Sequence, residues 1–77
     1  MYDNKRVIRF DEFKDIEEFV TTASQCDFDI DVYYNRVVVD AKSILGMLAI
    51  GVKNKLTICY GGENKKFEKL IAKFAIA

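Results

Sequence analysis

Asp27-Phe-Asp-Ile-Asp-Val-Tyr-Tyr34 alternates more cleanly than any other run in the chain. Phe28, Ile30, Val32 and Tyr34 fall on one side of an extended backbone, and Asp27, Asp29, Asp31 and Tyr33 on the other. That is the period of two adopted by a strand with one face against a core and the other in water. A strand covered on both faces reads as a continuous apolar run, so this one predicts a sheet with helices on one side only. Asn35-Arg36 then separates it from Val37-Val38-Val39. Asn tolerates the positive φ wanted at the first central position of a two-residue hairpin, while Arg36 is a poorer second partner than Gly.

Working back towards the N-terminus, Lys5 to Phe10 reads as a first strand, with Ile8 and Phe10 on one face, Arg9 on the other and Val7 filling an edge. Asp11 offers a helix N-cap. From Glu12 to about Gln25 the positions Phe13, Ile16, Phe19, Val20 and Ala23 recur at helical steps, opposite Lys14, Glu17 and Glu18, which predicts an amphipathic helix.

Working forward, Asp40 to Gly51 reads as a short helix carrying Ile44, Leu45, Met47, Leu48 and Ile50, with Gly51 as its stop. Lys55 to Tyr60 is a last strand with Leu56, Ile58 and Tyr60 in phase. Gly61-Gly62 breaks it before a closing helix, whose buried stripe is Phe67, Leu70, Ile71 and Phe74 and whose wet face is Lys65, Lys66, Lys69 and Lys73. The order is βαββαβα. It predicts an α+β open-faced sandwich, a four-stranded, mainly antiparallel sheet covered on one face by three helices, with the aspartates of the second strand on the open face.

With 77 residues and 51% hydrophobic content, the chain has room for one core, so residues 1–77 are expected to form a single domain. Twelve Lys and Arg balance twelve Asp and Glu, which removes the basic field that generic nucleic-acid binding needs. No stretch approaches the length of a membrane span, and the opening Met1-Tyr-Asp-Asn-Lys-Arg is charged and followed by no apolar leader region. The chain contains no His and no Pro, so no imidazole can serve as base, metal ligand or phosphoryl carrier. Cys26 and Cys59 lack C-x-x-C spacing, leaving free thiols or one disulfide; reduced thiols in the cytoplasm are the reading adopted.

Other constellations are weak as chemistry. Asp27, Asp29 and Asp31 resemble a carboxylate comb, but alternate residues on a strand stand ~6.6 Å apart, too wide for several ligands of one cation without a turning loop. Gly61-Gly62 ahead of a helix lacks the G-x-x-x-x-G-K-[ST] phosphate loop and reads as a turn. The lysines of the C-terminal third face an acidic stretch from Asp11 to Asp31, a dipolar surface that can steer a partner or simply be solvated. Cys26 and Cys59 have no base beside them and read as small filler. No metal or cofactor is called for, and no residue stands out as catalytic.

The second helix is more informative. Its apolar residues wrap most of the way round, yet a single sheet buries only one face, so one or two should remain at the surface as a protein-binding or self-association patch, unless a loop or the first helix covers them. Gly46 costs ~1 kcal/mol against Ala in a helix, which close approach of another backbone could offset. Ser43 can cap this helix through the amides of Leu45 or Gly46, in competition with Asp40. A phosphate on Ser43 would meet the positive helix end and add charge beside the apolar patch.

The run Asp40-Ala-Lys-Ser-Ile-Leu-Gly-Met-Leu-Ala-Ile-Gly51, with its K-S-I-x-G-x-x-x-x-G pattern, resembles the regulatory-serine helix of HPr, the histidine-containing phosphocarrier of the bacterial sugar phosphotransferase system. The likeness extends back through Phe19-Val-Thr-Thr-Ala-Ser24 and Tyr34-Asn35, and forward through Leu56-Thr-Ile58 to the closing helix. The element order is also that of HPr. By this resemblance Ser43 stands where HPr of Gram-positive bacteria accepts phosphate from an ATP-dependent kinase. Ile44, Leu45 and Leu48 lie on the helix that such proteins press against enzymes and transcriptional regulators.

The departure is the active site. HPr carries its histidine in a G-[IL]-H-A-R-P stretch ahead of the first helix, whereas this chain has neither His nor Pro. Counting back from Val20 puts Glu12 near the histidine place and Lys14 near the arginine place; matching the first strand on Phe10 instead requires a deletion. A carboxylate can form an acyl phosphate, but no helix start, Arg or base is arranged around Glu12 in the sequence. The resemblance therefore implies an HPr-like fold that has lost the phosphorelay and kept the serine helix and partner face. HPr kinase, a phosphotransferase-system protein or a transcriptional regulator is the expected partner, with a self-associating module such as a homodimer, or an unconventional phosphoryl acceptor through Glu12 or a cysteine, as alternatives.

Overall fold

The structure is a computed structural model that describes residues 3–76. Met1, Tyr2 and Ala77, including the first two residues of the charged opening segment, lie outside the described residues. The elements follow the expected order: β1 (Asn4–Ile8), α1 (Phe13–Ser24), β2 (Ile30–Tyr34), β3 (Val37–Asp40), α2 (Ile44–Ile50), β4 (Leu56–Tyr60) and α3 (Lys65–Phe74). The four strands form one sheet in the order β1-β4-β2-β3, and every pairing is antiparallel. This is the α+β open-faced sandwich that the alternation of β2 predicts.

The two faces follow from parity. Ile30 and Val32 of β2, Leu56, Ile58 and Tyr60 of β4 and Ile8 of β1 are buried beneath the helices. The register sets Lys5 beside Cys59 and Asp31 on the opposite face, with Val7, Thr57, Tyr33 and Val38 forming the next row across the sheet. Between sheet and helices runs a continuous aromatic path. Phe74 meets Phe10 at 5.1 Å between ring centroids, Phe10 meets Phe19 at 5.2 Å, Phe19 meets Phe67 at 5.8 Å and Phe67 meets Tyr60 at 5.2 Å. Phe28 stacks on the far side of Tyr60 at 5.9 Å. The contacts of Phe10 with Phe74, Phe10 with Phe19 and Tyr60 with Phe67 are edge-to-face, a geometry that contributes about 0.5–1.5 kcal/mol beyond the area buried.

Several local expectations are corrected. β2 begins at Ile30 rather than Asp27, because Asp27 to Asp29 bends so that Phe28 can reach Tyr60; only Asp31 of the three aspartates stands on the strand. The helix after β3 starts at Ile44, with Asp40 closing the strand instead. β1 ends at Ile8, although Phe10 still reaches the core. The N-cap of α1 is Glu12, not Asp11: the Asp15 carboxylate accepts from the Glu12 backbone N–H at 3.1 Å, while Asp11 pairs with Arg9 at 3.1 Å and Lys53 at 3.5 Å. Phe13 was expected on the buried stripe of α1 but is 55% exposed, since it occupies the first helical position, ahead of the turn that packs on the sheet.

Other punctuation follows the expected chemistry. Asn35 has φ +55° in the β2–β3 hairpin. Gly51 ends α2 at φ +80° with its N–H on the Met47 carbonyl, a backbone state that favours glycine. Asn64 caps α3 by accepting from the Phe67 N–H at 2.9 Å. Cys26 and Cys59 are both free thiols. Cys26 is buried, its Sγ 3.6 Å from the Thr22 carbonyl, and burial raises its pKa above the ordinary thiol value, with Lys42 acting in the opposite direction.

Candidate functional site: the exposed face of α2

The connection from β3 to α2 is built from short polar contacts. Asp40 accepts from the Lys42 N–H through Oδ1 at 2.9 Å and from the Ser43 N–H through its carbonyl at 2.9 Å. This turn delivers Ser43 in an extended conformation at the start of the helix, where Oγ accepts from the Gly46 N–H at 3.2 Å. Ser43 is thus the cap, and Asp40 shapes the turn ahead of it. Lys42 is drawn away from the serine: its ammonium donates to the Cys26 carbonyl at 2.9 Å, tying the turn to the end of α1. Ser43 itself is exposed.

Beyond the cap, α2 divides into two faces. Met47 is fully buried and Ile50 packs partly against the core. Ile44, Leu45 and Leu48 are 39%, 79% and 38% exposed. α1 touches α2 but leaves these three apolar side chains uncovered. A helix of this composition cannot satisfy all its apolar residues on one sheet, and the structure shows which ones it sacrifices.

Gly46 has a different role from the one its sequence position suggests. A β-carbon there would stand 2.6 Å from Cγ1 of Val39 and 3.2 Å from Ser43 Oγ. The close approach is therefore to a β3 side chain of the same molecule, not to another backbone. Beside it, Tyr34, Val37, Val39, Gly46, Ala49 and Ile50 line an apolar groove of about 370 Å³ between β3 and α2. Sequence reading missed this groove, because it depends on how far the helix stands from the sheet edge. The run of valines beside a glycine-containing helix was the available hint.

The structure does not bring Glu12 to this face. It stands at the N-cap of α1 with its carboxylate 3.6 Å from the Lys14 ammonium, both side chains well exposed. The expectation that no helix start lies at Glu12 is thus corrected, although Arg9, the nearest arginine in sequence, is engaged by Asp11.

Fold and face together define an open-faced β-sandwich with a serine-capped apolar helix beside the sheet edge. Residues 14–75 match the family model described as the PTS HPr component phosphorylation site, and the chain belongs to the HPr family, the phosphocarriers of the phosphotransferase system. The match begins two residues after Glu12. Among solved structures, the chain is similar to HPr-C-His from Thermoanaerobacter tengcongensis, with a TM-score of 0.74 and 24% identity over 91% of this chain and 88% of that one. It is also similar to the phosphocarrier protein HPr from Bacillus anthracis str. Ames, with a TM-score of 0.74 and 21% identity over 92% of this chain and 95% of that one. No curated protein sequence matches it. HPr proteins carry phosphoryl groups rather than catalyse reactions, and they work with other proteins of the phosphotransferase system. Among the described residues no helix is long and apolar enough to cross a membrane.

Proposed function

We propose that this chain, read as one HPr-like domain over residues 1–77, is a non-catalytic regulatory or adaptor protein of the phosphotransferase system that acts in the cytoplasm. It binds a protein partner through Ile44, Leu45 and Leu48 and is tuned by phosphorylation of Ser43. The observation that carries this reading is the uncovered apolar face of α2 directly beside an exposed serine cap. Desolvating those side chains on a partner is favourable at roughly 25 cal/mol per Å². A phosphate on Ser43 adds about 1.5 to 2 negative charges at the rim of the patch and changes which partner surface fits. The 77 residues contain no histidine, so the imidazole that carries phosphate in HPr is not among them, while the serine helix is. The partner class is an HPr kinase together with a phosphotransferase-system protein or transcriptional regulator that reads the serine.

Incubation with HPr kinase and ATP tests the switch. Intact-mass analysis is expected to show one added phosphoryl group that Ser43→Ala does not acquire; no gain on folded protein removes the switch. A pull-down comparing wild type, Ser43→Asp and Leu45→Asp tests the face. Loss of the same partner in Leu45→Asp supports it, and retention of every partner counts against it.

A second reading rests on the exposed position of Glu12 at the start of α1. There a carboxylate oxygen would attack the phosphorus of a donor phosphohistidine, forming an acyl phosphate and releasing neutral imidazole. Labelled phosphoenolpyruvate with the general phosphotransferase enzyme is decisive: label lost in Glu12→Gln supports it, and an unlabelled protein ends it.

A further inference from the structure

The sheet has two edges, and the chain treats them differently. Along β1 the C-terminal segment runs on the outer side: Ile8 bridges Ala75, the Arg9 N–H donates to the Phe74 carbonyl at 3.0 Å and the Ile76 N–H to the Val7 carbonyl at 3.2 Å. β1 also carries Lys5 and Arg6, charges of the kind that discourage edge pairing. β3 lies at the opposite end of the sheet, and among the described residues no segment pairs with its outer side. Its Val37-Val38-Val39 has no lysine, proline or bulge to guard it.

The register fixes which backbone groups face outward. Hydrogen-bonded and non-bonded pairs alternate along an antiparallel ladder. The Ala41 N–H donates to the Ile30 carbonyl at 2.9 Å, so Val32 with Val39 and Tyr34 with Val37 are bonded pairs, and Tyr33 with Val38 is not. The N–H and C=O of Val38 therefore point away from β2, into the open edge. The Val38 side chain is 54% exposed and that of Val37 51%.

We propose that a second copy of this chain pairs its β3 with this edge, antiparallel, about a two-fold axis through Val38. In that register each Val38 donates its N–H to the other's carbonyl, Val37 faces Val39 of the second copy, and Arg36 faces Asp40. The interface is self-complementary, as a two-fold contact must be: the cation and the anion that flank three valines meet twice. Moving the axis to residue 36 sets Arg against Arg, and moving it to residue 40 sets Asp against Asp. The backbone groups of residues 36, 38 and 40 all face outward, and among the registers that bring such groups together the one centred on Val38 is the one that sets Arg36 against Asp40 on both sides of the axis. Val37 and Val39 of the incoming strand project on the helix side, beside the apolar groove under α2, which extends the contact beyond the strand itself. The proposal does not depend on the reading of Ser43 or of the outer face of α2.

Sedimentation velocity over a concentration series tests it. The wild type is expected to move from monomer to dimer as concentration rises. Val38→Lys, which opposes two ammonium groups at the axis, is expected to weaken the dimer by about tenfold or more. Arg36→Asp is expected to weaken it too, and Arg36→Asp combined with Asp40→Arg to restore it, a recovery that no folding defect produces. A wild type that stays monomeric throughout overturns the proposal. So does a dimer that survives Val38→Lys and is lost in Leu45→Asp, which assigns self-association to α2.

Discussion

Cγ1 of Val39 lies 2.6 Å from the point where a β-carbon on Gly46 would stand. Two opposing effects meet there. Alanine in a helix interior is better than glycine by ~1 kcal/mol, but a methyl group at this separation must move a β-branched side chain with little rotamer freedom, and overpacking costs about 1–3 kcal/mol. Gly46→Ala is therefore expected to lower stability by roughly 1 kcal/mol net, read as a lower urea midpoint with unchanged slope. Adding Val39→Ala should relieve the clash, so the pair should show a favourable coupling in a double-mutant cycle. A stabilised single variant would show that the helix can stand off from β3 without cost.

The cap on α2 gives a second expectation, and it bears on any phosphomimetic experiment. Ser43→Ala leaves the Gly46 N–H without its side-chain acceptor and is expected to cost about 1 kcal/mol. Ser43→Asp keeps an acceptor at the cap and should be within about 0.5 kcal/mol of wild type in chemical denaturation. Loss of partner binding in Ser43→Ala therefore needs the aspartate variant beside it, to separate a missing phosphate acceptor from a frayed helix.

Tyr60 and Glu68 supply a pH-dependent contact. The Tyr60 hydroxyl donates to Glu68 Oε2 at 2.5 Å beneath α3. Burial first, and the Glu68 carboxylate second, push the phenol above its ordinary value of 10.0. The folded state therefore holds the phenolic proton more tightly than the unfolded chain does. The stabilisation is complete below the ordinary tyrosine pKa and is lost as pH rises above it, at up to about 1.4 kcal/mol per pH unit. Tyr60→Phe should flatten the alkaline limb of the stability curve relative to wild type. Phenolate absorbance should show the Tyr60 share appearing only with unfolding; normal titration in the native protein would contradict this.

What could be read from the chain and what could not divides by sequence range. The order of elements, the cap at Ser43, the turn at Asn35 and the stop at Gly51 depend on neighbours a few residues away, and periodicity carries them. β2 starts three residues later than its alternation implies, at Ile30, because Asp27 to Asp29 keeps the alternation while Phe28 is captured by Tyr60, a residue far along the chain; its end at Tyr34 is the one the alternation gives. The cap of α1 went to Glu12 because Asp11 finds Lys53 across the fold. Gly46 could be recognised as anomalous, but its cause, Val39, is settled by packing between elements. The exposed edge of β3 follows from a strand order in which β1 pairs with β4, and no local pattern specifies that.

Leu45 and Met47 separate function from folding on one short helix. Leu45 is 79% exposed and Met47 fully buried, although both are large apolar residues two positions apart. Met47→Ala is expected to destabilise by about 2–5 kcal/mol, since it empties a packed site. Leu45→Asp is expected to change stability by less than about 0.5 kcal/mol, because the side chain it replaces already sits in water. If α2 docks a partner, the same Leu45→Asp should reduce binding by tenfold or more, on the order of the 1.4 kcal/mol expected for losing a well-buried interface leucine. Urea titration and isothermal calorimetry on the same preparations read the two quantities side by side. A Leu45→Asp protein that is strongly destabilised would mean the monomer itself uses this side chain, and the exposed face of α2 would then lose its standing as a docking surface.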